Sequence, residues 1–490
     1  MNARRSVELS ALLPRLPAST QVNGDVARLI TGIELDSRRV RPGALFVALR
    51  GEHSDGHDHV AAAIANGALA IVVEEARAPR VPPHVTVIHV PDTRRALSPL
   101  AAAYHGDPSE RLDVVGVTGT NGKTTTTRMI ASILERAGKP CGVIGTVGAE
   151  LGSRQWKLAH TTPLPPELHG LLAEMLAGGA AAVAMEVSSH ALALDRVDDV
   201  RFCVAALTNV TRDHLDFHET LEAYAAAKRR LFGMAPVAVL NADDDHGRRW
   251  ATDLFARGTK VVTYGESASA DVRATQIELA PDGSRFAAGG TTFEVRIPGR
   301  FNVANALAAI AVARELGVDD AASAQGLAAL VRVPGRMEHV RGAGIDVVVD
   351  YSHTPDSLEN ALSSLRETSS GKVAVVFGCG GDRDRGKRPQ MGAVAARLAD
   401  RIYVTNDNPR SESAQAIADA IVGGLGERDY VVELDRRSAI RRAVDEAAEG
   451  DVVLIAGKGH EAYQIVGDTV LPFDDVAVAR EALQARGAQV

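Results

Sequence analysis

The chain has 490 residues, 46% of them hydrophobic and 24% charged, and its 54 Lys and Arg against 62 Asp and Glu give a net charge of −8. That length has room for about three domains, and the composition is that of a soluble globular protein, which excludes disordered, collagen-like and mucin-like chains. The acidic balance argues against nonspecific nucleic-acid binding; no apolar run approaches the ~18 residues of a membrane span, and residues 1–10 lack the apolar stretch of a signal peptide.

Short β-rich runs alternate with Ala- and Leu-rich helical stretches, which predicts an α/β class built from parallel βαβ units. Taken in chain order, the strands are expected at 112–117, 181–187, 202–207, 237–240, 346–349, 373–377, 401–404 and 452–455. Each is a continuous apolar run of the kind buried on both faces of a parallel sheet. Before the first of them, Asp36-Ser37-Arg38 and Glu52-His53-Ser54-Asp55-Gly56 read as turns between strands. Two linkers, His105-Gly106-Asp107-Pro108-Ser109 and Val333-Pro334-Gly335-Arg336, divide the chain into pieces 1–110, 111–335 and 336–490.

The run 112–117 leads into Thr118-Gly119-Thr120-Asn121-Gly122-Lys123-Thr124-Thr125 and then a helix with Met129, Ile130, Ile133 and Leu134 on one face. Strand, Gly-rich turn and helix in that order make a phosphate-binding loop: glycines let backbone N–H groups converge on phosphate oxygens, and the helix N-terminus adds its dipole. Lys123 neutralises β/γ-phosphates and the Thr124 hydroxyl suits Mg²⁺. The loop is a variant, because the glycine expected six residues before the lysine is Val117 and the glycine stands instead at 119.

The next two strands end in polar clusters. Glu186 closes 181–187 and is followed by Ser188, Ser189 and His190; His214 lies in Thr208-Asn209-Val210-Thr211-Arg212-Asp213-His214 after 202–207. Side chains at the carboxyl ends of parallel strands sit where α/β proteins bind ligands, so Glu186 and His214 are candidate metal ligands. Three further strand ends lie in the last piece: Gly378-Cys379-Gly380-Gly381-Asp382-Arg383, Asp407-Asn408-Pro409-Arg410, and Gly457-Lys458-Gly459-His460-Glu461. They are expected to share one ligand crevice.

Only 8 of the basic residues are lysines. Where arginine is the default cation, each lysine asks for a reason. Cys141, Cys203 and Cys379 form no CxxC pair, which points to a reducing compartment and to buried thiols.

Read together, GTNGKTT at 119–125, HTTPLP at 160–165, EVSSHALALDR at 186–196, TNVTRDHLDFH at 208–218, AAKRRLF at 226–232, FNVANALAA at 301–309, VPGRME at 333–338 and DYSHTPDSL at 350–358 resemble the Mur ligase family. The matches run in order through nearly the whole chain. The resemblance implies that family's three-domain architecture: an N-terminal domain for the UDP-substrate, a central P-loop parallel-sheet ATPase domain and a C-terminal Rossmann-like domain that binds an amino acid.

The resemblance also implies an activity and its residues. Members form amide bonds at the expense of ATP, in cytoplasmic synthesis of peptidoglycan precursors. Gly119, Thr120, Asn121, Gly122, Lys123, Thr124 and Thr125 match the ATP loop, and Asn305, Asp350 and His353 match the adenine and ribose end. Thr124, Glu186 and His214 match positions around Mg²⁺, with two ions expected. Lys228 matches a lysine carbamylated by CO2, which arginine does not replace; Arg336 matches a residue near the phosphates. The catalytic set is then Lys123, Lys228, His214 and Arg336.

On the substrate side, Leu35, Ser37, Glu52, His53 and Ser54 match the uridine end, and Thr161, Thr162, Ser188 and Arg196 match the muramoyl-dipeptide. Arg383, Asp407, Asn408, Pro409, Arg410, Gly457 and Glu461 match the pocket of the diaminopimelate-adding members, where an arginine reads the distal carboxylate. The expected substrates are ATP, UDP-N-acetylmuramoyl-L-alanyl-D-glutamate and meso-diaminopimelate, taken by a monomer. L-lysine or another amino acid in place of diaminopimelate is the alternative, and a P-loop NTPase switch is a remoter one. Lys387 and Lys458 fall in the expected crevice without an assigned role.

Overall fold

The computed structural model describes residues 5–51, 54–74 and 80–487. The chain forms two compact units: Met1–Gly116 with Pro140–Cys203 and Gly233–Ala235, and Val117–Lys139 with Val204–Phe232 and Pro236–Val490. The division passes through the strands Asp113–Thr118 and Phe202–Leu207.

The first unit contains a five-stranded sheet in the order Gln21–Asn23, Thr86–Val90, Ala70–Glu74, Leu45–Val47, Ile33–Glu34. All neighbours are parallel except the outermost pair, Gln21–Asn23 with Thr86–Val90. Alternation along the strands splits the core. Leu45, Val47 and Val72 face a cluster with Leu9, Leu97 and Leu100, while Phe46, Ile71 and Val73 face another with Val60 and Val87. Helix Thr93–His105 starts at Asp92, whose carboxylate accepts from the backbone N–H of Arg94 and Arg95, and ends at Gly106. It packs on helix Pro165–Ala177. Strand Ala182–Glu186 pairs in parallel with Cys141–Gly145, from which an antiparallel meander continues through Gly148–Leu151 to Arg154–Trp156.

In the second unit, Phe202–Leu207, Val237–Asn241, Lys260–Gly265 and Val272–Arg273 follow one another as parallel neighbours. Helix Lys123–Arg136 buries Met129, Ile130, Ile133 and Leu134, the face read from the sequence. It packs on helix Arg300–Glu315, whose alanines allow close approach on several sides. Thr275–Ala280, Gly283–Ala288 and Thr291–Val295 form a small antiparallel sheet.

The C-terminal part of this unit is a six-stranded sheet ordered Glu338–Gly342, Ile345–Asp350, Val452–Ala456, Val373–Phe377, Arg401–Val404, Val431–Val432. Only its first pair is antiparallel. Val347, Val349, Val376, Val453 and Ile455 pack on Ile440, Val444, Val478 and Leu483. Hairpin Tyr463–Val466 with Thr469–Pro472 follows the last central strand. The expected strands all form, with ends shifted by a residue at most; Asn241 and Ala456, for instance, extend two of them. Cys141 and Cys379 are buried as expected, whereas Cys203 is only half-buried, its Sγ lying 3.2 Å from the Val114 carbonyl. No helix among the described residues is long and apolar enough to cross a membrane.

Candidate active site

In the second unit the phosphate loop is shaped by two glycines. Gly119 has φ +149°, and a Cβ there would lie 1.8 Å from Thr208 Oγ1. Gly122, at φ +86°, would bring one to 2.3 Å from Asn305 Oδ1. Only a residue without Cβ permits either approach. The loop is pinned from outside: Asn209 O accepts from Thr120 N at 2.9 Å, and Asn209 Oδ1 from Asn121 N at 3.0 Å. Thr120 Oγ1 donates to Thr211 O and accepts from the Tyr224 hydroxyl, both at 3.1 Å. Thr124 and Thr125 are buried in the first turn of the helix. Lys123 Nζ donates to the carbonyls of Gly119 and Thr120, each at 2.8 Å, so it lies folded over its own loop.

Lys228 comes from helix Leu221–Arg229 and is fully buried; its Nζ donates to Gly119 O at 2.7 Å and lies 4.3 Å from the centre of the Tyr224 ring. Burial, reinforced by the Lys123 charge, pushes its pKa well below the ordinary lysine range. His214 has φ +53° and precedes helix Leu215–His218. Its Nε2 lies 3.3 Å from Asp213 Oδ2, and His353 Nε2 lies 3.7 Å from the same oxygen. Burial alone would raise the Asp213 pKa, but His214, His353 and Lys387 outweigh it and hold the carboxyl well below its usual range.

Arg336 Nη2 donates to Thr124 Oγ1 at 3.0 Å, and its guanidinium lies over the Tyr351 ring, 4.6 Å from the centre. Asn305 hydrogen-bonds Asn302 at 2.9 Å and Thr126 at 3.3 Å. Asp350 turns inward: its carboxylate accepts from Met337 N at 2.8 Å and from the Ser352 hydroxyl, and burial raises its pKa. Lys123, Lys228, His214, Arg336, Asn305, Asp350 and His353 therefore all lie in the unit that holds the loop.

The same unit brings the three C-terminal strand ends together. A Cβ at Gly378 would lie 2.1 Å from Thr405 O, and one at Gly381 1.9 Å from Pro409 O, so the glycines of this segment serve close approach to the loop carrying Arg410. Arg410 has φ +51° and donates from Nη1 to Gly381 O at 2.8 Å. Asn408 Nδ2 donates to Glu461 Oε2 at 2.9 Å. Gly457, at φ +117°, would set a Cβ 3.0 Å from Asp407 Oδ2. Arg383 is exposed and donates to Asp382 O at 2.8 Å.

In the first unit Glu186 is buried at its strand end. Its Oε1 accepts from Thr146 N at 2.8 Å and its Oε2 from Thr146 Oγ1 at 3.0 Å. The same hydroxyl is 3.1 Å from Thr161 Oγ1. Thr162 Oγ1 donates to Glu186 O at 2.9 Å and accepts from Ser188 N at 3.0 Å. Arg196 Nη1 donates to Thr162 O at 3.1 Å, while its Nε is buried with no hydrogen-bond partner among the described residues. Burial, then the neighbouring Arg94 charge, lowers the Arg196 pKa. A desolvated guanidinium beside a second cation suits an anionic ligand.

Leu35 packs against the N-terminal core, Ser37 is buried at a short 3₁₀ turn capped by Asp36, and Ser54 Oγ is 3.1 Å from His59 Nε2. Among the described residues no hydrogen bond or ion pair joins these three to the Thr161–Arg196 group. Glu52 and His53 lie outside the described residues.

The metal donors named from the sequence are a threonine hydroxyl, a carboxylate, an imidazole and a lysine. The hydroxyl and the carboxylate are hard oxygen ligands of the Mg²⁺ type, whereas the imidazole is a borderline nitrogen donor. A lysine amine is no ligand for Mg²⁺, and Lys228 fits that set only with its nitrogen converted to an oxygen-bearing carbamate. A buried nitrogen disfavoured as a cation suits that conversion. Among the described residues no group of three or more His, Cys, Asp or Glu side chains is arranged to hold a metal ion.

Several site residues escaped the sequence reading. Asp213 joins His214 to His353; Tyr224 covers Lys228 and bonds the loop; Asp356 accepts from Asn121 at 2.7 Å; Asp384 pairs with Arg212 at 3.0 Å. Asp213 was legible as the neighbour of His214. Tyr224 stands one helical turn before Lys228 but far from Thr120, and Asp356 and Asp384 lie far from their partners in sequence and gave no local signal.

Three family models match the chain: the Mur ligase family catalytic domain over residues 29–105, the Mur ligase middle domain over 117–313, and the Mur ligase glutamate ligase domain over 335–459. A relative named UDP-N-acetylmuramoyl-L-alanyl-D-glutamate–2,6-diaminopimelate ligase, from Geobacter metallireducens, is 45% identical, covering 97% of this chain and 99% of its own. A solved structure bearing that enzyme name is 34% identical, with a TM-score of 0.68 over 98% of this chain and 99% of its own. The MurF ligase of Thermotoga maritima, solved in complex with ADP, shares the fold at 21% identity, with a TM-score of 0.62 over 93% and 98%. Matched in all three parts and end to end, the chain belongs to the Mur ligase family.

Proposed function

We propose that this chain is an ATP-dependent ligase joining meso-2,6-diaminopimelate to the D-glutamate side-chain carboxylate of UDP-N-acetylmuramoyl-L-alanyl-D-glutamate, in cytoplasmic peptidoglycan precursor synthesis. The observation that carries it is the loop of Arg410, which is held against Gly381 beside Asn408 and Glu461 in the same unit as the phosphate loop. A switch that hydrolyses ATP has no use for such a pocket. The work divides among residues 1–110 for the UDP-substrate, 111–335 for ATP and 336–490 for the amino acid, a division supported by the limits of the family models.

An oxygen of the D-glutamate carboxylate attacks the γ-phosphorus of ATP. The bond to the β–γ bridging oxygen breaks, and ADP leaves with that oxygen. The acyl phosphate is then attacked at carbon by an unprotonated amine of diaminopimelate. The tetrahedral adduct expels phosphate, and the nitrogen loses its extra proton. The chain's main task is to position and neutralise crowded anions.

Thr120 and Asn121 spend their N–H groups on Asn209, so the backbone N–H groups of 122–125 cradle the phosphates, and Lys123 leaves its loop carbonyls to reach the β/γ oxygens. Arg336 stands beside Thr124 to meet the transferring phosphoryl group. Asn305, Asp350 and His353 serve the nucleoside end. Thr124, Glu186, His214 and carbamylated Lys228 would hold two Mg²⁺, which supply charge neutralisation and polarise the phosphoryl oxygens. Arg196, Thr161, Thr162 and Ser188 bind the muramoyl-dipeptide; Leu35, Ser37, Ser54 and the undescribed Glu52 and His53 bind the uridine end. Arg383, Asp407, Asn408, Pro409, Arg410, Gly457 and Glu461 take diaminopimelate.

The test is phosphate release from ATP and Mg²⁺ with the UDP-dipeptide and either meso-diaminopimelate or L-lysine. Release that requires the dipeptide and diaminopimelate is expected. Release indifferent to both sinks the ligase reading, and equal rates with lysine sink the assignment of the amino acid.

A further inference from the structure

Lys458 is fully buried, and its surroundings give it a role that sequence alone left open. Its Nζ donates to Asn408 Oδ1 at 3.1 Å and to Glu461 Oε2 at 3.3 Å, and lies 3.6 Å from Asp407 Oδ1. The amide of Asn408 is fixed between these groups: Oδ1 also accepts from Ile465 N at 2.9 Å, while Nδ2 donates to Glu461 Oε2. One ammonium thus ties together the loop of Arg410 and the loop of Glu461. A compact point charge with three donors can reach three acceptors in this space, which a planar guanidinium cannot do in the same way.

The charges around Lys458 do not balance. Asp407 and Glu461 bring two negative charges and Lys458 one positive. The nearby Arg436 and Asp475 are both buried and cancel each other through bonds of 2.7 and 2.8 Å. Asp407 Oδ1 is buried and has no hydrogen-bond partner among the described residues. A buried carboxylate that shares one ammonium with Glu461 and keeps an unused acceptor suits a second cationic donor.

We infer that Lys458 is a positioning residue that sets the charge of this pocket, leaving one negative charge to be filled by the ammonium at the distal centre of the incoming amino acid. The inference rests on the proposed function. Arg410 takes the distal carboxylate, and Asp407 with Glu461 takes the distal ammonium, so pocket and ligand close to neutrality together. Without Lys458, two carboxylates face one ammonium and Asn408 loses a bond that orients it.

The experiment compares the wild type, Lys458→Met, Glu461→Gln and the double variant in diaminopimelate-dependent phosphate release. Lys458→Met is expected to raise the KM for diaminopimelate at least about tenfold, the scale of truncating one partner of a buried charge pair. The KM values for ATP and the UDP-dipeptide should stay within about twofold, since neither substrate is assigned to this pocket. Because Lys458 acts through Asn408 and Glu461, Glu461→Gln alone already removes part of what Lys458 orders, so the double variant should raise the KM by less than the product of the two single effects. A lysine that is merely structural predicts independent losses that multiply. An unchanged KM in Lys458→Met, or single effects that multiply in the double variant, overturns the inference. If Lys458→Met does not fold, Lys458→Gln takes its place in the same comparison. A wild type that releases no phosphate in response to diaminopimelate refutes the proposed function itself, whereas a responsive wild type with discordant variants refutes only the role of Lys458.

Discussion

Lys228 donates a 2.7 Å hydrogen bond to the carbonyl of Gly119, so the helix carrying the lysine is anchored to the first glycine of the phosphate loop. The nitrogen is buried and disfavoured as a cation. A neutral amine is nucleophilic, and adding CO2 to it gives a carbamate whose negative charge suits a metal beside phosphate. In the proposed function this buried amine is the place where CO2 would add to give a ligand for metal.

Lys228→Ala should lower phosphate release by at least about a hundredfold, the scale on which a preorganised charge in an active site contributes. Short carboxylic acids such as acetate should partly restore it, by placing an oxygen anion in the space left behind. Lys228→Arg should stay inactive and resist rescue, because its side chain fills that space. Turnover of Lys228→Ala close to wild type would refute the carbamate role.

Arg410→Leu should lose discrimination rather than chemistry. Its guanidinium is positioned by a bond to Gly381 O and by left-handed backbone geometry. Removing it should cost about 2–5 kcal/mol in kcat/KM for diaminopimelate, the range for losing a buried charge-assisted contact. The rate with L-lysine, which has no distal carboxylate, should not fall. Parallel losses with both amino acids would place Arg410 outside the recognition of that carboxylate.

Much of this was readable before the structure because parallel strands buried on both faces are written as unbroken apolar runs. Val373–Phe377 and Arg401–Val404 fall where that pattern puts them. The phosphate loop was legible from its own residues, because Gly119 and Gly122 supply the positive φ of a tight turn. Relations across distance were not. Nothing in the sequence couples Asn121 to Asp356 or Arg212 to Asp384, since each pairing is created only when the C-terminal sheet folds. Lys458 shows the same limit, because its meaning lies in Asp407 and Asn408, which reach it from another strand end.

Gly119→Ala tests the geometry of the loop without touching a charge. The new methyl would meet Thr208 Oγ1 at 1.8 Å, at a backbone φ of +149° that alanine rarely adopts. The loop must move, and with it the carbonyl that holds Lys228 and Lys123. ATP affinity measured by calorimetry should drop at least about tenfold, or about 1.4 kcal/mol. Affinity for the UDP-dipeptide, assigned to residues of the other unit, should not change. Unaltered ATP affinity would show that the loop accommodates a side chain and would remove the argument from close approach.

Acid should destabilise the protein through two histidines of the first unit. His169 is fully buried with neither ring nitrogen hydrogen-bonded among the described residues, and burial followed by the neighbouring His105 lowers its pKa to about 3. His105 is lowered to about 4, by burial and then by Arg5. Unfolded, each titrates near 6.5. Above that pH both are neutral in both states and contribute no pH dependence. Below it the unfolded chain takes up protons that the folded one refuses, so stability falls by about 1.4 kcal/mol per pH unit for each histidine. Both act down to about pH 4, and His169 alone acts below that, down to about pH 3. His169→Leu replaces the buried imidazole with an apolar side chain of similar size, so it should leave stability at pH 7.5 unchanged or raised while removing its share of the acid slope. Urea unfolding of the two proteins at several pH values between 4 and 7.5 reads the difference directly, and identical slopes would overturn the assignment.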